Sequence, residues 1–388
     1  MITKRNKIEG VKMYKRILDL TKLLKKKSFF LFGPRGTGKT TLVKDRLSEA
    51  TVIDLLENKT YREYLKNPSR ISELKLKPIV VIDEVQKLPE ILDEVHRLIE
   101  AEKLTFLLTG SSARKLKRGG ANLLAGRAWW AELFPLTSNE IPDFDLMTYL
   151  NRGGLPAVYP SDDYAEELWA YTALYLKEEI QNEALTRKVA HFSEFLDLMA
   201  LSNGEEISYQ SIAGDCGVSP NSIKNYIQIL EDTLVAFQLK AFTKTRKRKA
   251  ISRSKLYFFD VGVTNSLAKR GEIIEGSELF GKAFEHFILL EVRSFLSYMR
   301  KNIRMCYWRS TSRFEVDLIL DNQWGVEIKS AASIQDKHLK GIRALKEEGN
   351  IQNFAAVSCD RYERKTQDNI TIFPWKLFLE KLWNGDII

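Results

Sequence analysis

The feature that most constrains this chain is a break in an apolar run. Ser28-Phe29-Phe30-Leu31-Phe32 reads as a buried strand and ends at Gly33-Pro34-Arg35-Gly36-Thr37-Gly38-Lys39-Thr40-Thr41, after which a helical pattern runs through Leu47. Every fixed position of the spacing G-x-x-x-x-G-K-[ST] is filled, with a strand before it and a helix after it. Glycines at these places let successive backbone N–H groups turn inward around an oxyanion, and the helix N-terminus adds favourable potential for negative charge. The expectation is a phosphate loop for ATP, with Lys39 on the β- and γ-phosphates and the Thr40 hydroxyl on Mg²⁺. Short apolar runs alternate with helical patterns on both sides of the loop, which predicts a parallel α/β sheet.

Three further strands are expected at Thr51–Leu55, Pro78–Ile82 and Leu104–Leu108, with a helix over 89–102. The second of them ends in Asp83-Glu84. In P-loop ATPases an acid here holds Mg²⁺ and a neighbouring acid orients the attacking water, roles that fall to Asp83 and Glu84. Thr109, Ser111 and Ser112 follow the next strand, at the sheet end that faces the ligand crevice, where they are candidates to sense the γ-phosphate; the competing reading is a polar turn. Arg114 and Arg127 come after them. An arginine brought to the γ-phosphate, in cis or in trans, would speed turnover, whereas a structural ion pair is the alternative for Arg127.

Taken in order, Phe32-Gly-Pro-Arg-Gly-Thr-Gly-Lys-Thr, Ile82-Asp-Glu-Val-Gln, Leu108-Thr-Gly-Ser-Ser, Leu124-Ala-Gly-Arg127 and Gly153-Gly-Leu-Pro resemble the prokaryotic AAA+-type, STAND-like P-loop ATPases with a C-terminal module of uncharacterised function. The resemblance covers most of the chain. It implies an ASCE-type core with a small helical extension, then a winged helix, then a nuclease-like α/β module. It also implies that Gly110-Ser111-Ser112 is the sensor segment and that Arg127 sits near the nucleotide or a neighbouring subunit.

The 388 residues suggest more than one core. The expected division is a P-loop ATPase domain at 1–140, a helical lid or linker at 141–190, a winged-helix domain at 191–265 and a nuclease-like domain at 266–388. No apolar run approaches the ~20 residues that cross a bilayer, and the basic N-terminus lacks a signal-peptide core. Cys216, Cys306 and Cys359 lie far apart, without metal-ligand spacing. A cytoplasmic protein without a membrane partner is expected. Whether translation starts at Met1 or Met13, and whether the chain forms a homo-oligomer or meets a protein partner, stay open.

The formal charge of +9 is clustered, with one basic stretch from Lys4 to Lys27 and another over 240–255 that holds eight Lys or Arg and no acid. Such a block is either a solvated loop or a surface for a polyanion. Just before it, Ser208 to Leu230 has a helix–turn–helix profile: Ser219 caps a helix that carries Pro220 at its first position, Ile223, Ile227 and Leu230 share a face, and Ser222, Lys224, Asn225 and Gln228 point outward. Many such units contact only proteins, but the basic run falls where a wing would lie, which favours nucleic acid, with DNA preferred over RNA.

The C-terminal region holds Glu315-Val-Asp317 and Glu327-Ile-Lys329 on two strands that turn at 321–323. A turn there pairs residue i with 644 − i, placing Asp317 opposite Glu327 and Glu315 opposite Lys329. Facing carboxylates need a cation between them, and Mg²⁺ or Mn²⁺ fits such a donor set. Lys329 would then stabilise a metal-bound hydroxide or the phosphoryl transition state. The arrangement resembles the PD-(D/E)xK nuclease fold, with Asp317, Glu327 and Lys329 at motif positions, Glu285 on the preceding helix as the extra acid, and Val316 where proline is usual. A charged amphipathic hairpin, or a nuclease fold that does not cleave, are the competing readings. Two functions are therefore carried: an ATPase that controls a nucleic-acid-binding, Mg²⁺-dependent nuclease module, and a nucleotide-gated regulator without nuclease activity.

Overall fold

The computed structural model describes residues 14–112, 114, 116, 124–176 and 189–388. The first thirteen residues, which include both candidate start methionines and Lys4, Arg5, Lys7 and Lys12 of the first basic stretch, lie outside the described residues.

The first module is a five-stranded sheet of β1 (Ser28–Phe32), β2 (Thr51–Asp54), β3 (Ile79–Asp83), β4 (Thr105–Gly110) and β5 (Ala128–Glu132), in the order β2-β3-β4-β1-β5. All four strand pairs are parallel. Helices α1 (Leu20–Leu24), α2 (Lys39–Arg46), α3 (Asn58–Lys66) and α4 (Ile91–Glu102) accompany it. Alternate residues of the central strands bury against opposite layers, as a sheet covered on both faces requires. Phe30, Phe32, Val80, Ile82, Phe106 and Leu108 pack with Ile91, Leu92, Val95 and Leu98 of α4. Phe29, Leu31, Val81 and Leu107 pack with Leu20, Leu24, Leu42 and Val43. Both layers were readable from the apolar runs. β5 was not: Trp129 and Trp130 pack on Phe29 and Phe32 from the edge strand beside β1, with Trp129 41% exposed. An edge strand has one paired neighbour and need not be continuously apolar.

From residue 138 the chain is helical, through Leu146–Arg152, Tyr164–Trp169, a π-helical continuation over Ala170–Leu176, and Val189–Leu201. Two helices, Tyr209–Asp215 and Pro220–Asp232, are joined by a short turn. Ser208 and Ser219 cap them, each accepting from the backbone three residues on. On the second helix Ile223, Ile227 and Leu230 are buried while Asn221, Lys224, Asn225 and Gln228 are exposed. An antiparallel hairpin follows, β6 (Ala236–Ala241) with β7 (Lys255–Phe258).

That hairpin does not end its own layer. β6 runs parallel to β8 (Met305–Arg309) and joins β9 (Glu315–Leu320), β10 (Trp324–Lys329), β11 (Asn353–Ser358), β12 (Arg364–Lys365) and β13 (Thr371–Pro374) in one eight-stranded sheet, ordered β12-β13-β11-β10-β9-β8-β6-β7. The long helix Glu278–Tyr298 and the helix Trp375–Asn384 pack on one face around Phe287, Phe295 and Leu382. The helix Lys340–Lys346 covers the other with Ile342 and Leu345. None of the helices among the described residues is long and apolar enough to cross a membrane.

Part of the second basic run serves the fold rather than the surface. Arg248 pairs with Glu347 and Glu348, the backbone N–H groups of Arg246 and Lys247 both donate to Glu348, and Lys255 is buried in β7. Lys244, Arg246, Lys247, Lys249 and Arg253 remain exposed. Residue type alone cannot separate the two sets, because only the tertiary position of Glu347 and Glu348 selects Arg248.

Candidate active site

The loop Gly33 to Gly38 leaves the end of β1 and feeds directly into α2, whose first residue is Lys39. Gly36 and Gly38 have φ of 82° and 90°, a left-handed geometry that a side chain disfavours. A Cβ on Gly33 would come within 2.3 Å of the Leu133 carbonyl, so the strand beside it requires glycine there. Lys39 is 6% exposed and its ammonium donates to the carbonyls of Gly33 (2.7 Å) and Pro34 (3.1 Å), within the loop it is expected to neutralise around phosphate. Thr37 closes the loop by donating to the Pro34 carbonyl at 2.8 Å. Arg35, Thr40 and Thr41 are exposed along its rim.

The acids of β3 meet this loop. Thr40 donates to Asp83 Oδ2 at 2.9 Å, and Thr109 at the end of β4 donates to the other Asp83 oxygen. A hydroxyl after β1 beside a carboxylate at the end of β3, across the intervening β4, is the donor set expected for Mg²⁺. Glu84 takes φ of 60°, turning its side chain away from the strand direction, and its N–H donates to Thr109 at 3.3 Å. Among the candidate sensor residues, Thr109 thus contacts Asp83 directly, and Ser111 connects to Glu84 through Gln86. The Gln86 amide donates to the Glu84 carboxylate and to Ser111 Oγ (3.1 Å). Gln86 was quoted in the sequence motif but given no role there, since an amide two residues past an acid carries no signal until the turn is known.

The structure does not bring Arg127 to the loop. β5 runs alongside β1 with Ala128 beside Ser28 and Glu132 beside Phe32. The loop leaves the far end, so roughly 20 Å of strand separates Arg127 from it. Arg127 Nε instead bonds Glu100 on α4. Contact in cis with a nucleotide at Gly33–Thr40 is excluded by that placement. Arg114 does lie at the correct end of the sheet, but its guanidinium, 4% exposed, pairs with Asp232 at the end of the Pro220–Asp232 helix at 3.1 Å.

Later segments cover and brace the loop. A Cβ on Gly36 would touch Tyr171 and Leu155, one on Gly38 would approach Pro156, and the Tyr171 hydroxyl donates to the Arg35 carbonyl at 2.9 Å. Gly153-Gly154-Leu155-Pro156 is held from below by Asp260, which accepts the Gly154 N–H at 2.7 Å. Burial pushes the Asp260 carboxyl up to about 6 despite the backbone donors of Val263, Gly154 and Gly262. Arg16 braces the other side. It donates to the Thr37 carbonyl (2.7 Å), the Phe134 carbonyl (2.6 Å), Glu140 (3.0 Å) and the Tyr298 hydroxyl (3.1 Å).

A second acidic cluster lies in the eight-stranded sheet. β9 and β10 pair Leu320 with Trp324, Ile319 with Gly325 and Leu318 with Val326, each summing to 644 as the turn predicted. At the next step the Asp317 carboxylate accepts the Ile328 N–H at 2.7 Å. Lys329 Nζ lies 2.7 Å from Glu327 and 3.2 Å from Asp317. Glu315, expected opposite Lys329, pairs instead with Lys255 (2.6 Å) and Arg309 (3.6 Å), because β8 and β7 supply cations on its other side. Glu285 accepts from Tyr257 at 2.6 Å and lies 3.8 Å from Lys255. Lys255 and Tyr257 were not among the sequence candidates.

Burial and the nearby Asp317 hold the Glu327 carboxyl well above the usual range, and the same two causes raise Glu285. Burial lowers Lys329 and Lys255, but the surrounding acids outweigh it and raise both. Glu327 Oε2 is buried without a hydrogen-bond partner. No group of three His, Cys, Asp or Glu side chains among the described residues is arranged to hold a metal. The Lys329 ammonium itself stands against both carboxylates, and the unpartnered Glu327 oxygen is the one that would be open to a divalent cation.

Comparison with known proteins agrees with the first of these two centres. Residues 25–142 match a family described as an AAA domain. The sheet order and the match are both those of a P-loop NTPase. Residues 143–273 and 280–378 match two families described as domains of unknown function, DUF8612 and DUF4143. An uncharacterized protein of Mycobacterium tuberculosis is 24% identical over 315 residues, covering 78% of this chain and 70% of the relative. One from Methanocaldococcus jannaschii is 23% identical, covering 92% of this chain and 85% of the relative. Among solved structures, the Aeropyrum pernix ORC1 protein in complex with DNA aligns over 63% of this chain and 86% of its own, with 15% identity and a TM-score of 0.23.

Proposed function

We propose that the protein binds and hydrolyses ATP at the Gly33–Thr41 loop and uses nucleotide state to control nucleic-acid binding by a winged-helix unit over 191–265. The observation that carries the coupling is the Arg114–Asp232 ion pair. Arg114 lies two residues past Ser112, in the segment that follows β4, and Asp232 closes the helix whose exposed face bears Lys224, Asn225 and Gln228. Leu234, two residues beyond Asp232, packs on the apolar layer of the first sheet. A shift at the end of β4 on γ-phosphate binding or loss therefore has a direct route to that helix.

At the loop, the backbone amides and Lys39 bind and orient the triphosphate. Thr40 and Asp83 would hold Mg²⁺, which supplies charge neutralisation for the phosphates. Glu84 accepts a proton from the attacking water, and Leu155, Pro156 and Tyr171 limit bulk water over the loop. On the nucleic-acid side, Lys224 and Arg253 flank a cleft of about 490 Å³ shared by the two helices and the segment 252–254. Phosphate neutralisation there makes affinity fall with salt.

Charge reversal tests the coupling. Arg114→Glu is expected to reduce the ATP-versus-ADP difference in duplex DNA affinity about ten-fold, and adding Asp232→Arg is expected to restore most of it, as restoring a coupled pair does. Fluorescence anisotropy at two salt concentrations reads both terms. Equal DNA affinity with ATP, ADP and no nucleotide in the unaltered protein would remove the coupling, and no ATP turnover would remove the enzymatic reading.

A second reading of the C-terminal cluster is favoured by the meeting of Asp317, Glu327 and Lys329. Asp317 and Glu327, with Glu285 behind them, would hold Mg²⁺ or Mn²⁺, which activates water for phosphodiester hydrolysis. Lys329 would then stabilise charge on the scissile phosphate. Metal-dependent cleavage of DNA by the intact protein is expected to drop at least about 100-fold in Lys329→Ala. Cleavage that survives the substitution, or no Mn²⁺ uptake by calorimetry, leaves the regulator without nuclease activity as the function.

A further inference from the structure

We infer that Gln86 is a positioning residue for ATP hydrolysis, fixing the Glu84 carboxylate in the place from which it meets the attacking water. The inference rests on the ATPase reading above and adds a residue to it.

Glu84 stands at a left-handed turn directly after β3, with φ of 60°. Such a turn aims the side chain out of the sheet but does not by itself select a rotamer, and a glutamate with its three torsions free loses the alignment that proton transfer needs. Gln86 supplies the selection. It is 6% exposed, and its single amide nitrogen donates one hydrogen to the Glu84 carboxylate and the other to Ser111 Oγ at 3.1 Å. Ser111 itself follows the end of β4, the strand whose Thr109 holds Asp83. The two acids of β3 are thereby tied to the same short stretch of chain, one through a hydroxyl and one through an amide.

The orientation of the amide is also fixed. An ionised carboxylate can only accept, so the nitrogen and not the oxygen of Gln86 must face Glu84, and Oε1 is left buried without a hydrogen-bond partner. A Cβ on residue 110 would stand 2.3 Å from Oε1 and 3.2 Å from the carbon that bears it. Gly110 is therefore the place where the carboxamide crosses the strand end, and any side chain there would push it off Glu84. Gly110 needs no unusual φ, since its conformation is that of an ordinary strand residue. The glycine of Thr109-Gly110-Ser111 is explained by space for Gln86 and not by backbone freedom.

In the step itself the water oxygen forms a bond to the γ-phosphorus while the bond from that phosphorus to the β–γ bridging oxygen breaks. The electron pair of the broken bond leaves with ADP, and the water proton passes to Glu84. Gln86 touches none of these atoms and acts through Glu84 alone.

Two substitutions test this, each with steady-state ATPase kinetics and direct ATP binding by calorimetry on the full chain. Gln86→Leu removes the donor, and Gly110→Ala displaces it with Gln86 intact. Each is expected to lower kcat about ten-fold with KM and the ATP Kd within two-fold, and the double variant should be no slower than the worse single one. A kcat within two-fold of the unaltered protein in either variant overturns the inference, as does a joint loss of kcat and ATP affinity. Should Gln86→Leu fail to fold, Gly110→Ala decides alone, because its expected defect needs Gln86 present. No turnover in the unaltered protein would count against the ATPase reading instead, and is told apart by that control.

Discussion

Glu84→Gln is expected to bind ATP as tightly as the unaltered protein and to hydrolyse it at least about 100-fold more slowly. The two halves of that result separate because the triphosphate is held elsewhere. The Gly33–Gly38 amides, Lys39, Thr40 and Asp83 would form the binding set, with Lys39 inside the loop against the Gly33 and Pro34 carbonyls and Thr40 against Asp83. Glutamine keeps the length of the side chain and an oxygen that can still accept from Gln86. What it loses is the basic oxygen pair that takes up a proton. Phosphate release under saturating ATP, beside calorimetric ATP affinity, checks both. A variant that turns over within five-fold of the original would move the base to another residue, and one that no longer binds ATP would make Glu84 structural. Loss of ATP binding in Lys39→Ala with full retention in Glu84→Gln is the contrast that makes the pair informative.

The second large effect is on stability. Arg16→Met is expected to destabilise the protein by about 3–5 kcal/mol, the usual result of stripping one partner from a buried ion pair. Arg16 and Glu140 have side chains 5% and 0% exposed and meet at 3.0 Å. Glu140 also accepts the backbone N–H groups of Ile17 and Thr137. Without Arg16, that carboxylate and the carbonyls of Thr37 and Phe134 lose a shared cation in a site closed to solvent. Methionine fills the space and so isolates the electrostatic part. For a chain of 388 residues a loss of that order lowers the melting temperature by roughly 4–6 °C. Scanning calorimetry with and without ATP is the check. A shift under about 3 °C would mean that Glu140 finds another donor, and Glu140→Gln in the same background would then show no further change.

Much of the first module was legible because its signals are local. A strand, a glycine loop and Gly-Lys-Thr occupy a dozen consecutive residues, and the acids after β3 sit at the end of an apolar run that nothing else could explain. The register of β9 and β10 was legible for the same reason: the turn at 321–323 fixes it, and the two strands are neighbours in sequence. What could not be read was every partner distant in the chain. For Arg127 a γ-phosphate contact and a structural ion pair were both open because the edge strand after it was missed, and strand direction decides which end of the sheet an adjoining residue occupies. Glu315 was assigned to Lys329 because β7 and β8 were not known to approach it, so Lys255 and Arg309 went unseen. Arg16 looked like one charge in a basic stretch, yet it is drawn inside by acceptors 21, 118, 124 and 282 residues away.

The Tyr298 hydroxyl that meets Arg16 also accepts the Phe134 N–H, and the Trp383 ring lies tilted beside it against the same layer as Phe29 and Leu31. The outer wall of the nucleotide module is thus furnished by residues encoded more than 150 positions later. A fragment cut after residue 142 would keep all five strands and the entire phosphate loop, yet leave raw apolar surface where that wall had been. The phosphate loop and the C-terminal helices are folded together: neither half of the chain comes with a finished exterior of its own.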